Sequence, residues 1–168
     1  MTNPIAPELK GIQAHLAKTE FNGDNYVNGW AALWEKGDNL PWDKGFPNPA
    51  LEDTLLKQRA TIGGPIAQDA QGQSYRRKAL VPGCGRGVDV LLLASFGYDA
   101  YGLEYSPAAV EACKKEEAEN HSWYRVRDQT IGRGKVTFVQ GDFFDDTWLQ
   151  KIGVQNGFDL IYDYTVSQ

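Results

Sequence analysis

Short apolar segments alternate with helical segments in the second half of the chain. Each strand-like segment is apolar along most of its length, which is typical of parallel strands covered on both faces. The predicted order is strand one (Lys78–Val81), a helix (Val88–Phe96), strand two (Tyr98–Leu103), a helix (Ser106 to about Asn120), strand three (Lys135–Gln140) and strand four (Phe158–Tyr162). This alternation predicts an α/β fold with an open parallel sheet and right-handed crossovers.

The first half of the chain is less regular. Residues 1–23 have a weak helical pattern in a polar segment and are predicted to form a loosely attached arm. In residues 24–36 the apolar side chains fall on one face, which predicts an N-terminal helix. The other predictions are an ordered loop (38–49), a short amphipathic helix (50–59), a surface loop (61–74) and a basic, solvated loop insertion (121–134).

These elements predict one domain over residues 24–168, preceded by the arm. Only residues 163–168 follow strand four, which would leave an apolar edge strand uncovered. We therefore expect an incomplete domain that holds strands one to four only, in a C-terminally truncated chain. A monomer is expected, with self-association through the uncovered strand four as an alternative.

Composition narrows the class of protein. A length of 168 residues suits one domain, and a net charge of −5 argues against a nucleic-acid partner. Two cysteines and two isolated histidines provide neither a disulfide framework nor a metal site. With no signal peptide and no apolar run long enough to span a membrane, we expect a cytoplasmic protein without a membrane partner. The aromatic share of 12% favours a pocket for an organic or cationic ligand.

A glycine-rich turn follows strand one. Its glycines are Gly83, Gly85 and Gly87, and an apolar helix begins directly after it. A strand, a glycine turn and a helix bring the backbone close to a nucleotide-like ligand in open α/β sheets. In the nicotinamide-binding pattern a glycine would stand where this chain has Val88, which weakens a pyrophosphate-binding interpretation without excluding it. A purely structural turn is the other alternative.

Acidic residues follow the next two predicted strands. Glu104 comes directly after strand two, where a carboxylate can accept hydrogen bonds from both hydroxyls of a ribose. Asp142 follows strand three and suits contact with an adenine amino group, with Phe143 or Phe144 along the ring. A solvated glutamate and a turn aspartate are the alternatives. The order of the glycine turn and the two acidic residues favours a site for an adenosine-containing ligand.

The same residues resemble a known family, the class I S-adenosylmethionine-dependent methyltransferases. The specific resemblance is to the thiopurine and thiol methyltransferase group, which includes plant and fungal thiol and halide methyltransferases. It covers about residues 24–165. The motifs that carry it are Val81-Pro82-Gly83-Cys84-Gly85-Arg86-Gly87-Val88-Asp89-Val90, Gly102-Leu103-Glu104-Tyr105-Ser106, Gly141-Asp142-Phe143-Phe144, Phe158–Tyr164 and Trp30-x3-Trp34-x2-Gly37-x4-Trp42-x2-Gly45.

The resemblance implies a Rossmann-like fold and S-adenosylmethionine as the cofactor, with the cofactor half of the domain present. The cofactor-binding residues that it implies are Trp30, Trp34, Trp42, Gly83, Gly85, Gly87, Glu104, Tyr105, Asp142, Phe143 and Asp163. The glycines would line the methionine portion, and the tryptophans would lie near the sulfonium. Those tryptophans could instead only attach the N-terminal helix to the core. Asp163 and Tyr164 are the candidate catalytic residues on the acceptor side.

The resemblance also implies a reaction, the displacement of the sulfonium methyl by a small thiol, sulfide or halide. A soft anion needs little help from a general base, so catalysis would rest on proximity and alignment. The sequence leaves two alternatives open. One is a cofactor-binding fragment without catalysis, and the other is a nicotinamide-dependent oxidoreductase.

Overall fold

The structure is a computed structural model that describes residues 23–37, 40 and 42–164. Its elements are α1 (Gly23–Lys36), α2 (Pro49–Lys57), α3 (Arg59–Ile62), β1 (Ile66–Gln68), β2 (Ser74–Arg76), β3 (Lys78–Pro82), α4 (Val88–Ser95), β4 (Asp99–Glu104), α5 (Pro107–Asn120), a 3-10 turn (His121–Trp123), β5 (Val136–Gln140), α6 (Thr147–Ile152) and β6 (Leu160–Ile161). The predicted arm, residues 1–23, lies outside the described residues except for Gly23.

A four-stranded parallel sheet forms the centre of the fold, with the spatial order β5-β4-β3-β6. The four predicted strands are therefore confirmed, and they stand in the order three-two-one-four. The chain reverses its direction of winding between β3 and β6. In open α/β sheets a ligand binds at such a reversal, outside the carboxyl ends of the strands.

The sheet has an apolar core on each face because alternate side chains of a strand point to opposite faces. On β3, Ala79 and Val81 pack into the core that includes α2 and α4. Between them, Leu80 packs into the second core, which contains Trp148 of α6. These strand residues are almost fully buried, as their continuous apolar pattern predicts.

The helices begin at residues suited to that position. Ser106 caps α5, because its side chain accepts a hydrogen bond from the amide of Ala109, and Pro107 follows at the first helical position. Asn48 and Pro49 play the same two roles for α2. In the described part of the chain, no helix has the length and apolar character that a membrane crossing requires.

The prediction of a loop over residues 61–74 was wrong in part. The segment lies on the surface, but it includes β1 and the start of β2, which pair as an antiparallel hairpin. The Asp69 carboxylate accepts hydrogen bonds from the amides of Gln71 and Gln73 and so stabilises the turn. Because most of the hairpin side chains are exposed, the segment has no apolar alternation.

The basic segment at 121–134 is exposed over most of residues 121–130, as predicted, but two of its arginines contact the rest of the domain. Arg133 is half-buried and donates to the carbonyl oxygens of His121 and Tyr124. The guanidinium of Arg127 lies over the ring of Phe96, 5.2 Å from its centroid. These two arginines therefore attach the segment to the domain.

Candidate active site

The glycine turn connects β3 to α4 at the carboxyl edge of the sheet. Gly85 and Gly87 have φ angles of 54° and 79°, in the left-handed region that favours glycine. A Cβ atom on Gly87 would lie 2.6 Å from the ring of Phe138 on β5. Gly87 therefore provides the close approach of turn and sheet, a role that the nicotinamide-binding pattern gives to the next position, Val88.

Glu104 lies at the end of β4 and contacts this turn through Gly85. Its side chain is buried, and its carboxylate accepts hydrogen bonds from the amides of Gly85 (3.0 Å), Tyr105 (2.8 Å) and Ser106 (3.1 Å). Burial raises the pKa of Glu104, and the three backbone hydrogen bonds oppose that rise. The carboxylate is therefore held in a fixed position. Glu104 does not line the cavity described below, and its contact with a ribose stays a prediction.

The predicted tryptophans meet the glycine turn from the N-terminal side. A Cβ on Gly85 would lie 3.2 Å from Trp34, and the Trp34 side chain is itself buried. Trp42 packs edge-to-face on Trp30 with 5.0 Å between ring centroids. Trp34 and Trp42 line a cavity over the turn, and Trp30 supports Trp42 from behind.

Tyr105 lies just outside the glycine turn. Its hydroxyl is 3.3 Å from the side-chain oxygen of Asn28, so it connects the end of β4 to α1. This contact holds the tryptophan-bearing helix near the site. A direct contact of Tyr105 with a cofactor stays a prediction.

The cavity has a volume of about 200 Å³. Its walls come from the glycine turn, the 42–49 segment, the first turn of α4 and the segment after β6. The volume is below the roughly 300–1,000 Å³ that is typical of small-molecule sites. A cavity of this size accommodates one portion of a nucleoside-sized ligand.

Two polar contacts close the 42–49 segment over the cavity. The guanidinium of Arg86 binds the carboxylate of Asp43, with distances of 2.8 Å from Nε and 2.5 Å from Nη2 to the same oxygen. The amide of Asn48 donates to Asp89 at 2.7 Å. Burial raises the pKa of Asp89. Our sequence reasoning assigned no role to these side chains, although Arg86 between two glycines and Asp89 in an apolar helix are both unusual for their surroundings.

The predicted adenine-contacting residues lie at the end of β5. The Asp142 carboxylate accepts a hydrogen bond from the amide of Phe144 at 2.9 Å and so shapes the turn. Phe143 is 36% exposed. Because the amide of Gly141 donates to the carbonyl of Glu104, this turn lies beside the end of β4. Neither Asp142 nor Phe143 lines the cavity, and their contact with adenine stays a prediction.

The segment after β6 forms another wall. Tyr164 lines the cavity and is 60% exposed, whereas Asp163 is exposed and does not line it. Sequence reasoning missed Tyr162, which also lines the cavity. Burial raises the pKa of Tyr162 to about 12, so its hydroxyl stays protonated at neutral pH. The catalytic roles of Asp163 and Tyr164 stay predictions.

The two cysteines do not form a nucleophilic site. The Cys84 and Cys113 sulfurs lie 3.8 Å apart, and the thiol of Cys113 donates to the carbonyl of Gly85. The contact with Cys113, together with burial, raises the pKa of the Cys84 thiol. A protonated thiol is a poor nucleophile, so the Cys84 side chain serves to pack the turn. Among the described residues, no cluster of histidine, cysteine or carboxylate side chains could hold a metal ion.

The parallel sheet with helices on both faces is the Rossmann-like fold of the class I methyltransferases. A solved structure from work on the conversion of a disulfide bond into a thioacetal group during echinomycin biosynthesis superposes with a TM-score of 0.56 and 25% sequence identity. The match covers 84% of this chain and 47% of that one. A model of the thiopurine S-methyltransferase family matches residues 26–167, and the chain belongs to that family.

Curated relatives agree with this assignment. A probable thiol methyltransferase 2 of Arabidopsis thaliana is 33% identical over 143 residues, which cover 84% of this chain and 49% of the relative. A thiocyanate methyltransferase 1 of Brassica oleracea is 33% identical over 82% of this chain and 47% of its own length. A thiopurine S-methyltransferase of Stutzerimonas stutzeri (strain A1501) is 38% identical over 40% of this chain and 29% of its own length. The chain spans about half the length of the two plant relatives.

Proposed function

We propose that the protein is an S-adenosylmethionine-dependent methyltransferase that acts on a small thiol, sulfide or halide. The observation that carries the proposal is the buried Glu104 carboxylate at the end of β4, fixed against the glycine turn through Gly85. In this position the carboxylate can accept hydrogen bonds from ribose hydroxyls. The family of the chain implies a methyl donor, and the adenosine of S-adenosylmethionine supplies the ribose.

The cavity residues fit the other end of this donor. S-adenosylmethionine, when bound, supplies a methyl group on a positively charged sulfur. Trp34 and Trp42 present aromatic rings to the cavity over the glycine turn, and aromatic faces attract a cation. Arg86 and Asp89 line the same cavity with opposite charges, as an amino-acid group requires.

The acceptor is proposed from the names of the relatives and from the chemistry of the site. The two plant relatives are named for thiol and thiocyanate methylation, which use soft sulfur nucleophiles. Such anions attack a methyl group without a general base, so the protein needs only to exclude water and align the two reactants. The protonated Tyr162 hydroxyl on the cavity wall can donate a hydrogen bond to an anion there.

Calorimetry with S-adenosylhomocysteine, S-adenosylmethionine and NAD tests the cofactor. We expect both sulfur ligands to bind and NAD not to bind. Glu104→Gln should weaken S-adenosylhomocysteine binding by about tenfold or more, because it removes charge-assisted hydrogen bonds. Glu119→Gln on the exposed face of α5 is the matched control. Binding of NAD alone would show an oxidoreductase, and an unchanged affinity of Glu104→Gln would refute the role in ribose binding.

Transfer of a labelled methyl group tests the reaction. The chain is incubated with labelled S-adenosylmethionine and, separately, with a small thiol, thiocyanate, sulfide and iodide, and the volatile or extracted product is counted. Because the chain spans about half the length of the two plant relatives, a second candidate is a cofactor-binding unit without catalysis. Cofactor binding with no transfer to any of the acceptors would favour that candidate.

A further inference from the structure

Arg86 presents a carboxylate-binding group to the cavity at the turn. Its Nε lies 3.1 Å and 2.8 Å from the two Asp43 oxygens, and its Nη2 lies 2.5 Å from one of them. This is the side-on fork with which arginine binds carboxylates. Both side chains line the cavity, and Asp43 is the more deeply placed, with 6% of its side chain exposed against 35% for Arg86.

The Asp43 carboxylate occupies the position that a ligand carboxylate would need on Arg86. It also forms part of the cavity wall over the glycine turn. The segment next to Asp43 is exposed, because a Cβ on Gly45 would meet no atom within 4 Å and the neighbouring Phe46 is 54% exposed. Displacement of Asp43 would both enlarge the cavity and release the guanidinium.

We propose that Arg86 binds the α-carboxylate of the methyl donor, and that Asp43 holds Arg86 in the binding geometry until the donor carboxylate displaces it. This inference rests on the proposed function and adds an assignment for one end of the donor. Asp89, on the same cavity, is placed to meet the α-ammonium group. The Asp43 carboxylate is then an internal competitor of the donor, and its presence lowers the apparent affinity for any ligand that carries a carboxylate.

A permanent Arg86–Asp43 clamp makes the opposite prediction. If the pair had to stay intact to hold the 42–49 segment closed, loss of either partner would weaken binding. If the donor takes the place of Asp43, loss of Asp43 strengthens binding and loss of Arg86 weakens it. The sign of the Asp43 effect therefore separates the two mechanisms.

Calorimetry with two ligands provides the test. S-adenosylhomocysteine carries the amino-acid group, whereas 5′-methylthioadenosine carries only the adenosine and a thioether. Arg86→Gln should weaken S-adenosylhomocysteine binding by about tenfold or more, and Arg86→Lys should restore only part of it, because lysine lacks the planar fork. Asp43→Asn should strengthen S-adenosylhomocysteine binding by roughly threefold or more, since a neutral amide competes less well than a carboxylate.

5′-Methylthioadenosine is the matched control ligand. Its affinity should stay within about twofold of wild type in all three variants, which also shows that each variant is folded. Equal weakening of both ligands by Arg86→Gln, or weaker S-adenosylhomocysteine binding by Asp43→Asn, would overturn the inference while the proposed function stands. If neither ligand bound the wild-type protein, both the proposed function and the inference would fall.

Discussion

Glu104 is expected to stabilise the fold as well as bind ribose, and substitutions can separate its contributions. Its carboxylate is the acceptor for three backbone amides, those of Gly85, Tyr105 and Ser106. A buried amide that loses its acceptor costs about 1–3 kcal/mol. Glu104→Ala leaves all three without an acceptor. Because the Ser106 hydrogen bond is buried and the other two are partly buried, we expect a loss of about 2–4 kcal/mol in the free energy of unfolding.

Glu104→Gln should be milder. The amide oxygen of glutamine can occupy the place of Oε1 and keep the hydrogen bonds from Tyr105 and Ser106, while its NH₂ group would face the Gly85 amide. One lost hydrogen bond predicts a destabilisation of about 1–2 kcal/mol. The burial cost of a charge also disappears in both variants, since burial raises the pKa of Glu104. That gain is common to the two variants and cancels in their difference.

Urea unfolding monitored by tryptophan fluorescence measures these changes. Glu119→Ala is the control, because its carboxylate is exposed and 4.0 Å from Lys115, in a surface pair that contributes little. We expect the order Glu119→Ala, Glu104→Gln, Glu104→Ala from least to most destabilising. Equal stabilities of the two Glu104 variants would refute the assignment of three separate backbone hydrogen bonds.

The remaining predictions concern the glycine turn and α4. Gly87→Ala should destabilise by about 2–4 kcal/mol, because it combines a left-handed φ with a Cβ 2.6 Å from Phe138. Gly72→Ala, with a φ of 77° and open space around it, should cost only about 1–2 kcal/mol, and similar losses in chemical denaturation would contradict the packing argument. Burial raises the pKa of Asp89 above its unfolded value near 3.8, so its ionisation lowers stability as pH rises through the interval between the two values. Asp89→Asn should therefore gain stability relative to wild type as pH rises above about 4, and a difference in unfolding free energy that stays constant with pH would exclude this.

The parallel sheet could be predicted from the sequence because its strands are buried on both faces. Ala79, Leu80 and Val81 are apolar in succession, and no surface strand would need that pattern. The β1–β2 hairpin could not be predicted in this way, since most of its side chains are exposed. Helix α6 was missed as well, because it is six residues long and only Trp148 in it is buried.

Some residues of the site could also be predicted from the sequence, and others could not. The glycine turn and Glu104 could be predicted because each directly follows or ends a predicted strand, which is a local property of the chain. Arg86 and Asp43 lie 43 positions apart in the sequence, and Asp89 and Asn48 lie 41 positions apart. No local pattern indicates such a pairing, because it depends on where the fold places the 42–49 segment. Tyr162 was missed as a site residue because its place on the cavity wall also depends on the fold.

The walls of the cavity differ in their local stability. The glycine turn follows β3, and Glu104 is the last residue of β4. Each of these strands has a neighbouring strand on both sides. Tyr162 and Tyr164 follow β6, which pairs with β3 over only two residues. Segments with few backbone pairings open by local fluctuations, whereas central strands open only on global unfolding. Under the proposed function, the donor side would therefore persist through openings of the acceptor side, and acceptors could exchange while the donor stays bound.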